Sequence, residues 1–90
     1  MNKYIQKPQC IIDLHGYTVS DTEEVLSELI AENQYSHVRI ITGKGLNSEN
    51  GPVLGDFVKA YLNRRNIRYN QSKIQDGGEG ALEVFLSSKN

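Results

Sequence analysis

The chain has 90 residues, 38% of them hydrophobic and 23% charged, with a formal net charge of −1. That is the composition of one folded domain, which buries about two-thirds of its unfolded surface, and it excludes a disordered or two-domain chain. A single cysteine, Cys10, and two separated histidines, His15 and His37, exclude an internal disulfide and a structural zinc cluster.

Residues 1–9 contain Pro8 and show no period, so they read as a loose N-terminal arm with no signal-peptide core. Residues 10–14, Cys-Ile-Ile-Asp-Leu, read as a short buried strand closed by a His15-Gly16 turn. Ser20 with Glu23 fits a capping box, with Thr18 a competing N-cap. From there Val19, Thr22, Leu26, Leu29 and Ile30 recur at helical spacing as far as Asn33.

Val38–Ile41 reads as a second strand, ending at Thr42-Gly43-Lys44-Gly45. After a polar loop, Pro52 suits a first helical position, and Leu54, Phe57, Val58, Tyr61 and Leu62 mark one face of a second helix ending near Arg65-Asn66. Residues 67–71 alternate as a half-buried strand. Gly77-Gly78-Glu79-Gly80 reads as a tight turn before a final strand carrying Leu82, Val84 and Leu86. The order is β-α-β-α-β-β. Strands joined through helices are expected to pair in parallel, and the last strand to run antiparallel. The fold class is α/β: a two-layer sandwich with two helices on one face of a four-stranded mixed sheet.

Charge is unevenly placed. Asp13, Asp21, Glu23, Glu24, Glu28 and Glu32 fall in a stretch without Lys or Arg, whereas Lys59, Arg64, Arg65, Arg68 and Lys73 fall in one without acids. The folded domain therefore has an acidic side and a basic side. These are either two solvated faces or a surface for an anionic partner.

Three turns carry candidate chemistry. Asp13 and His15 alternate with Ile12 and Leu14, so both project to the open side of the first strand. A carboxylate beside an imidazole fixes its tautomer and raises its basicity; the bland alternative is that Asp13 satisfies turn amides and His15 packs over Gly16. Gly43-Lys44-Gly45 combines backbone amides with a cation, which suits an anion, although it is not a Walker A loop; a plain strand-to-loop turn explains it equally. Gly77, Gly78 and Gly80 allow close approach of a sugar–phosphate backbone, or form a hairpin and nothing more. Arg64, Arg65 and Arg68 follow the second helix, where cations also complement its dipole.

Asp13-Leu14-His15-Gly16, Ile41-Thr42-Gly43-Lys44-Gly45 and Gly77-Gly78-x-Gly80-Ala81-Leu82 occur in the order and at the separations of the small MutS-related (Smr) domain, which the chain resembles over residues 10–86. Residues 87–90 are then a tail. The resemblance implies a β-α-β-α-β-β sandwich and a nucleic-acid endonuclease that hydrolyses phosphodiester bonds in structured DNA or RNA. It implies Asp13 and His15 as catalytic residues. Thr42, Gly43, Lys44, Gly45, Gly77, Gly78, Gly80 and the arginines 64, 65 and 68 become phosphate or nucleic-acid contacts. Mg²⁺ or another divalent cation is the implied cofactor, with Asp13 the candidate ligand. RNA is favoured over DNA, since neither helix looks built to read a major groove.

The chain departs from many members at Thr42, where they carry a histidine; threonine can only hydrogen-bond. A non-catalytic nucleic-acid- or ribosome-binding module using the same loops is the alternative, and a binder of a small phosphorylated ligand a more distant one. A cytoplasmic, monomeric, stand-alone domain without membrane attachment is expected.

Overall fold

The computed structural model describes residues 8–43 and 53–86. Six main elements follow in chain order: β1 (Cys10–Asp13), α1 (Val19–Glu32), β2 (His37–Ile41), α2 (Val53–Arg64), β3 (Arg68–Gln71) and β4 (Ala81–Phe85). The sheet order is β1-β2-β4-β3. β1 and β2 are parallel, with Cys10 beside Val38 and Asp13 beside Ile41. β4 runs antiparallel to both β2 and β3.

Both helices cover one face. Leu26 and Leu29 of α1 and Val58, Tyr61 and Leu62 of α2 form a single cluster with Val38, Ile40, Leu82 and Val84 from alternate strand positions. Burying each such side chain contributes about 1.5–3 kcal/mol. Among the described residues, no helix is long and apolar enough to cross a membrane.

Several local expectations are corrected. Thr18, not Ser20, caps α1, its hydroxyl accepting the Asp21 amide at 3.0 Å, and Ser20 lies inside the helix. Asn33 ends α1 in the left-handed conformation (φ 51°). Gln9, assigned by sequence to a loose arm, donates its amide to the His37 carbonyl at 2.8 Å. Residues 1–7 of that arm, the tail and Pro52 lie outside the described residues.

β2 and β3 run in the same direction but never touch, because β4 lies between them. The reason is burial: Ala81, Leu82, Glu83 and Val84 are all buried, which suits a central strand, while the polar Arg68-Tyr69-Asn70-Gln71 suits an edge. Nor is β3 joined to β4 by a tight turn. Residues 72–80 form a longer connection with 3-10 turns at Ile74–Asp76 and Gly78–Gly80.

The opposite face of the sheet holds a buried charge. Glu83 has no exposed surface, and each of its carboxylate oxygens is bound. Oε1 meets His37 Nε2; Oε2 accepts from Arg39 Nε at 2.7 Å and from the Ser72 hydroxyl at 2.6 Å. Arg39 also reaches Asp76 Oδ2 at 3.5 Å. Burial pushes the Glu83 carboxyl up, but the hydrogen bonds from Ser72, Arg39 and His37 outweigh it and hold the group below the usual carboxylate range.

A carboxyl lowered by folding stabilises the native state above its unfolded pKa, and that contribution is lost as pH falls through the folded value. Glu83→Ala, which removes the carboxylate that His37, Arg39 and Ser72 share, is expected to lower unfolding free energy by about 3–5 kcal/mol in urea titrations at neutral pH. Glu83→Gln is expected to cost less and to flatten the acid limb of stability against pH. An unchanged acid limb would contradict this.

Candidate functional site

The carboxyl ends of β1 and β2 are pinned together. Beyond Asp13, Leu14 turns into the core with no exposed surface, and its amide donates to the Ile41 carbonyl at 2.7 Å. The chain then reverses at Gly16 (φ 85°), and the Tyr17 amide returns to the Leu14 carbonyl at 2.9 Å. Leu14 thus serves as a buried peg, and the residues on either side of it, Asp13 and His15, are held at the surface.

Asp13 Oδ1 accepts from the His15 amide at 3.1 Å and from His15 Nδ1 at 2.8 Å. A ring nitrogen facing a carboxylate carries the proton, so Nδ1–H points at Asp13 and the Nε2 lone pair points away. The imidazole side chain is 71% exposed. The side-chain hydrogen bond from His15, followed by its backbone one, holds the Asp13 carboxyl below its ordinary range. The amide contact means that Asp13 also fills the turn-capping role that its position alone allowed.

The second turn presses on this pair. Gly43 has φ 80°, and a Cβ there would lie 3.2 Å from the His15 Cβ, so only glycine lets the loop come this close without displacement. The Thr42 and Gly43 amides both donate to the Gly80 carbonyl, at 2.8 and 3.0 Å. The first, second and third turns therefore meet at one rim. Beside it, a cleft of about 280 Å³ is lined by Thr42, Gly43, Gly55, Asp56, Lys59, Gln71, Glu79 and Leu82.

This geometry changes what the glycines do. The Gly77, Gly78 and Gly80 amides donate to the carbonyls of Ile74, Lys73 and Gly77. With Gly43 engaged by Gly80, none of these four amides is turned toward a ligand. The glycines serve close packing instead: at Gly77 (φ 122°) a Cβ would sit 2.7 Å from that of Ala81. Thr42 is nearly buried, its hydroxyl bonded to the Gly43 and Gly80 carbonyls at 3.3 and 3.4 Å. Lys44 and Gly45 lie outside the described residues.

The arginines are not brought to this rim. α2 starts there, with Gly55 against Thr42, and runs its twelve residues, about 18 Å, to Arg64 at the far end. Arg65 lies over the Tyr61 ring at 4.4 Å and Arg68 over Phe85 at 5.2 Å. Lys59 is instead the described cation that lines the cleft. Sequence reasoning placed it in the basic run but missed its role; its position one helical turn after Asp56 on the polar side of α2 was the available signal. The Glu83 cluster was missed as well, because an acid at the centre of an apolar strand carries no sign of its partners.

Among the described residues there is no group of three or more His, Cys, Asp or Glu side chains that could hold a metal ion. Asp13 presents its carboxylate at the rim, and Asp56 and Glu79 line the cleft beside it. That fits a hydrated Mg²⁺ that takes its other ligands from water and substrate phosphates.

A two-layer β-α-β-α-β-β domain whose Asp-Leu-His-Gly turn is clasped by two glycine loops defines the small MutS-related class. The chain belongs to the Smr family: the Smr domain model matches residues 12–87. The family is one associated with nucleic-acid binding and nicking. In structure the chain is similar to the Smr domain of Thermus thermophilus MutS2, with TM-score 0.72 and 23% identity over 86% of this chain and 96% of that one. It is similar to the SMR domain of NEDD4-binding protein 2, with TM-score 0.71 and 25% identity over 96% and 94%. YdaL, a stand-alone small MutS-related protein from Escherichia coli, gives TM-score 0.67 and 22% identity over 88% of this chain and 64% of YdaL. An uncharacterized protein of Treponema pallidum (strain Nichols) is 38% identical over 58 residues, 61% of this chain; the match spans 29% of that relative's length.

Three substitutions test the rim. His15→Ala is expected to return the Asp13 titration upward toward the ordinary carboxylate range in carboxyl-carbon NMR, since its chief hydrogen-bond donor is gone. Gly43→Ala, at a positive φ and against His15, is expected to destabilise by about 1–3 kcal/mol in urea. Gly55→Ala meets only ordinary contact with Thr42 Oγ1 at 3.5 Å and is expected to be neutral or stabilising by up to about 1 kcal/mol.

Proposed function

We propose that the chain is a nucleic-acid endonuclease of the Smr type, cleaving phosphodiester bonds in structured DNA or RNA, with RNA the favoured substrate. The observation that carries this is the 2.8 Å contact between Asp13 Oδ1 and His15 Nδ1, which leaves an exposed Nε2 free to accept a proton. His15 is the general base: Nε2 takes the proton of an attacking hydroxyl, either water or the ribose 2′-OH. A new O–P bond forms and the bond from phosphorus to the departing oxygen breaks, with that oxygen collecting a proton from solvent. Asp13 holds the ring and stabilises the imidazolium. Where a divalent cation is used, it supplies charge neutralisation at the phosphate, and Asp13 is the residue that would touch it.

Phosphate binding falls to side chains, since the described glycine amides are engaged. Lys59 borders the cleft beside the rim, and Lys44 is the candidate in the neighbouring loop. The arginines 64, 65 and 68 sit a helix length away, so they would contact backbone several nucleotides from the scissile bond and steepen the salt dependence.

A second reading is supported by Thr42. Its hydroxyl is bonded to two carbonyls rather than offered at the rim, so no second imidazole is supplied there. A nucleic-acid- or ribosome-binding module using the same loops without turnover fits that observation.

The deciding assay uses purified protein on labelled single-stranded, duplex and branched DNA and RNA, with and without EDTA. An enzyme is expected to lose about 10²–10⁴-fold of its rate in His15→Ala, and to lose activity in Asp13→Asn. Cleavage that survives both substitutions defeats the catalytic assignment. Tight binding without cleavage by the unmodified chain selects the module.

A further inference from the structure

We infer that Tyr17 is a stacking platform for one unpaired nucleobase beside the Asp13–His15 pair, which makes single-stranded or locally unpaired nucleic acid the substrate class. This rests on the nucleic-acid reading above and goes beyond it by naming the strand state and the residue that selects it.

Among the described residues, every other Phe or Tyr ring is packed. Tyr61 is 2% exposed, Phe57 lies against it with ring centroids 5.9 Å apart, and Tyr35 and Tyr69 lean on the core. Phe85 stacks on His37 at 4.8 Å. Tyr17 alone is left 46% exposed, two residues from the open imidazole of His15. It sits immediately before the α1 N-cap, where an apolar residue commonly packs on the fourth helical position. That position is Thr22, a small buried polar residue rather than an apolar partner, and Tyr17 stays exposed.

The backbone that carries the ring is held firmly. The Tyr17 amide is bonded to Leu14, which is itself pinned to β2, and Thr18 caps the helix that follows. A tyrosine has only two side-chain torsions to order on contact, and every base offers it a π-face regardless of sequence. Bases inside a duplex are already stacked on their neighbours and present only edges, so the platform discriminates by strand state.

The test measures anisotropy of a short labelled RNA strand and of the same strand annealed to its complement, at low salt, with the unmodified chain, Tyr17→Ala and Tyr17→Phe. Tyr17→Ala is expected to weaken single-strand binding by about 5- to 150-fold and leave duplex binding unchanged, while Tyr17→Phe retains both. A single abasic nucleotide moved along the strand is expected to weaken the unmodified chain at one position and to have no effect on Tyr17→Ala. Equal affinities for the unmodified chain and Tyr17→Ala, an equal loss on duplex, or indifference to the abasic position overturns the proposal while leaving the nucleic-acid reading standing. If the unmodified chain binds neither probe, the nucleic-acid reading fails, and this inference with it. The abasic scan on the unmodified chain decides the matter even if Tyr17→Ala does not fold.

Discussion

A carboxylate taken out of water must have its lone pairs occupied, and at Glu83 that requirement organises one whole side of the molecule. Its partners come from β2, through His37 and Arg39, and from the start of the long connection, through Ser72. Arg39 extends the contact to Asp76, further along that connection. The segment that supplies the Gly80 carbonyl to Thr42 and Gly43 is thus tied at its beginning and middle to a charge in the central strand. Breaking such a pair is costly because the surviving partner stays buried. The shape of the rim is therefore set partly by electrostatics on the face the helices do not cover.

At the rim itself the chain binds to itself before it binds anything else. Two amides share the Gly80 carbonyl, and those of Gly77, Gly78 and Gly80 help close the 3-10 turns. Glycine is required at positions 43 and 77 by positive φ and by the nearness of His15 and Ala81. Loops of this kind give a firm backing against which a few side chains are displayed. His15, Tyr17 and Lys59 are displayed there, and the first two owe their placement to the same buried peg, Leu14.

Much of this was legible in the residue pattern, because period and alternation report burial directly. Val38 with Ile40, Leu82 with Val84, and Leu26 with Leu29 announced the core face, and the Asp13/His15 alternation announced their shared exposure. The position of β4 was not legible: strand order depends on which edge each strand needs covered, and no local signal states it. The choice of Thr18 over Ser20 as cap depended on where the Gly16 turn releases the chain. Charge marks the arginines as phosphate contacts, but it says nothing about which end of a helix faces the rim. Glu83 was invisible for a related reason. Its compensation is assembled from residues as distant as 37 and 72.

The strand order has a bearing on how the domain is made. Of the four described strands, β4 is the last to leave the site of synthesis, yet it fills the middle of the sheet. Until it arrives, β2 has one unpaired edge, β3 has no neighbour at all, and the surface that Leu82 and Val84 will cover is open. Assembly therefore cannot proceed strand by strand from the amino end. The 80 residues that precede it must wait, partly sticky, for a late insertion that closes both gaps at once.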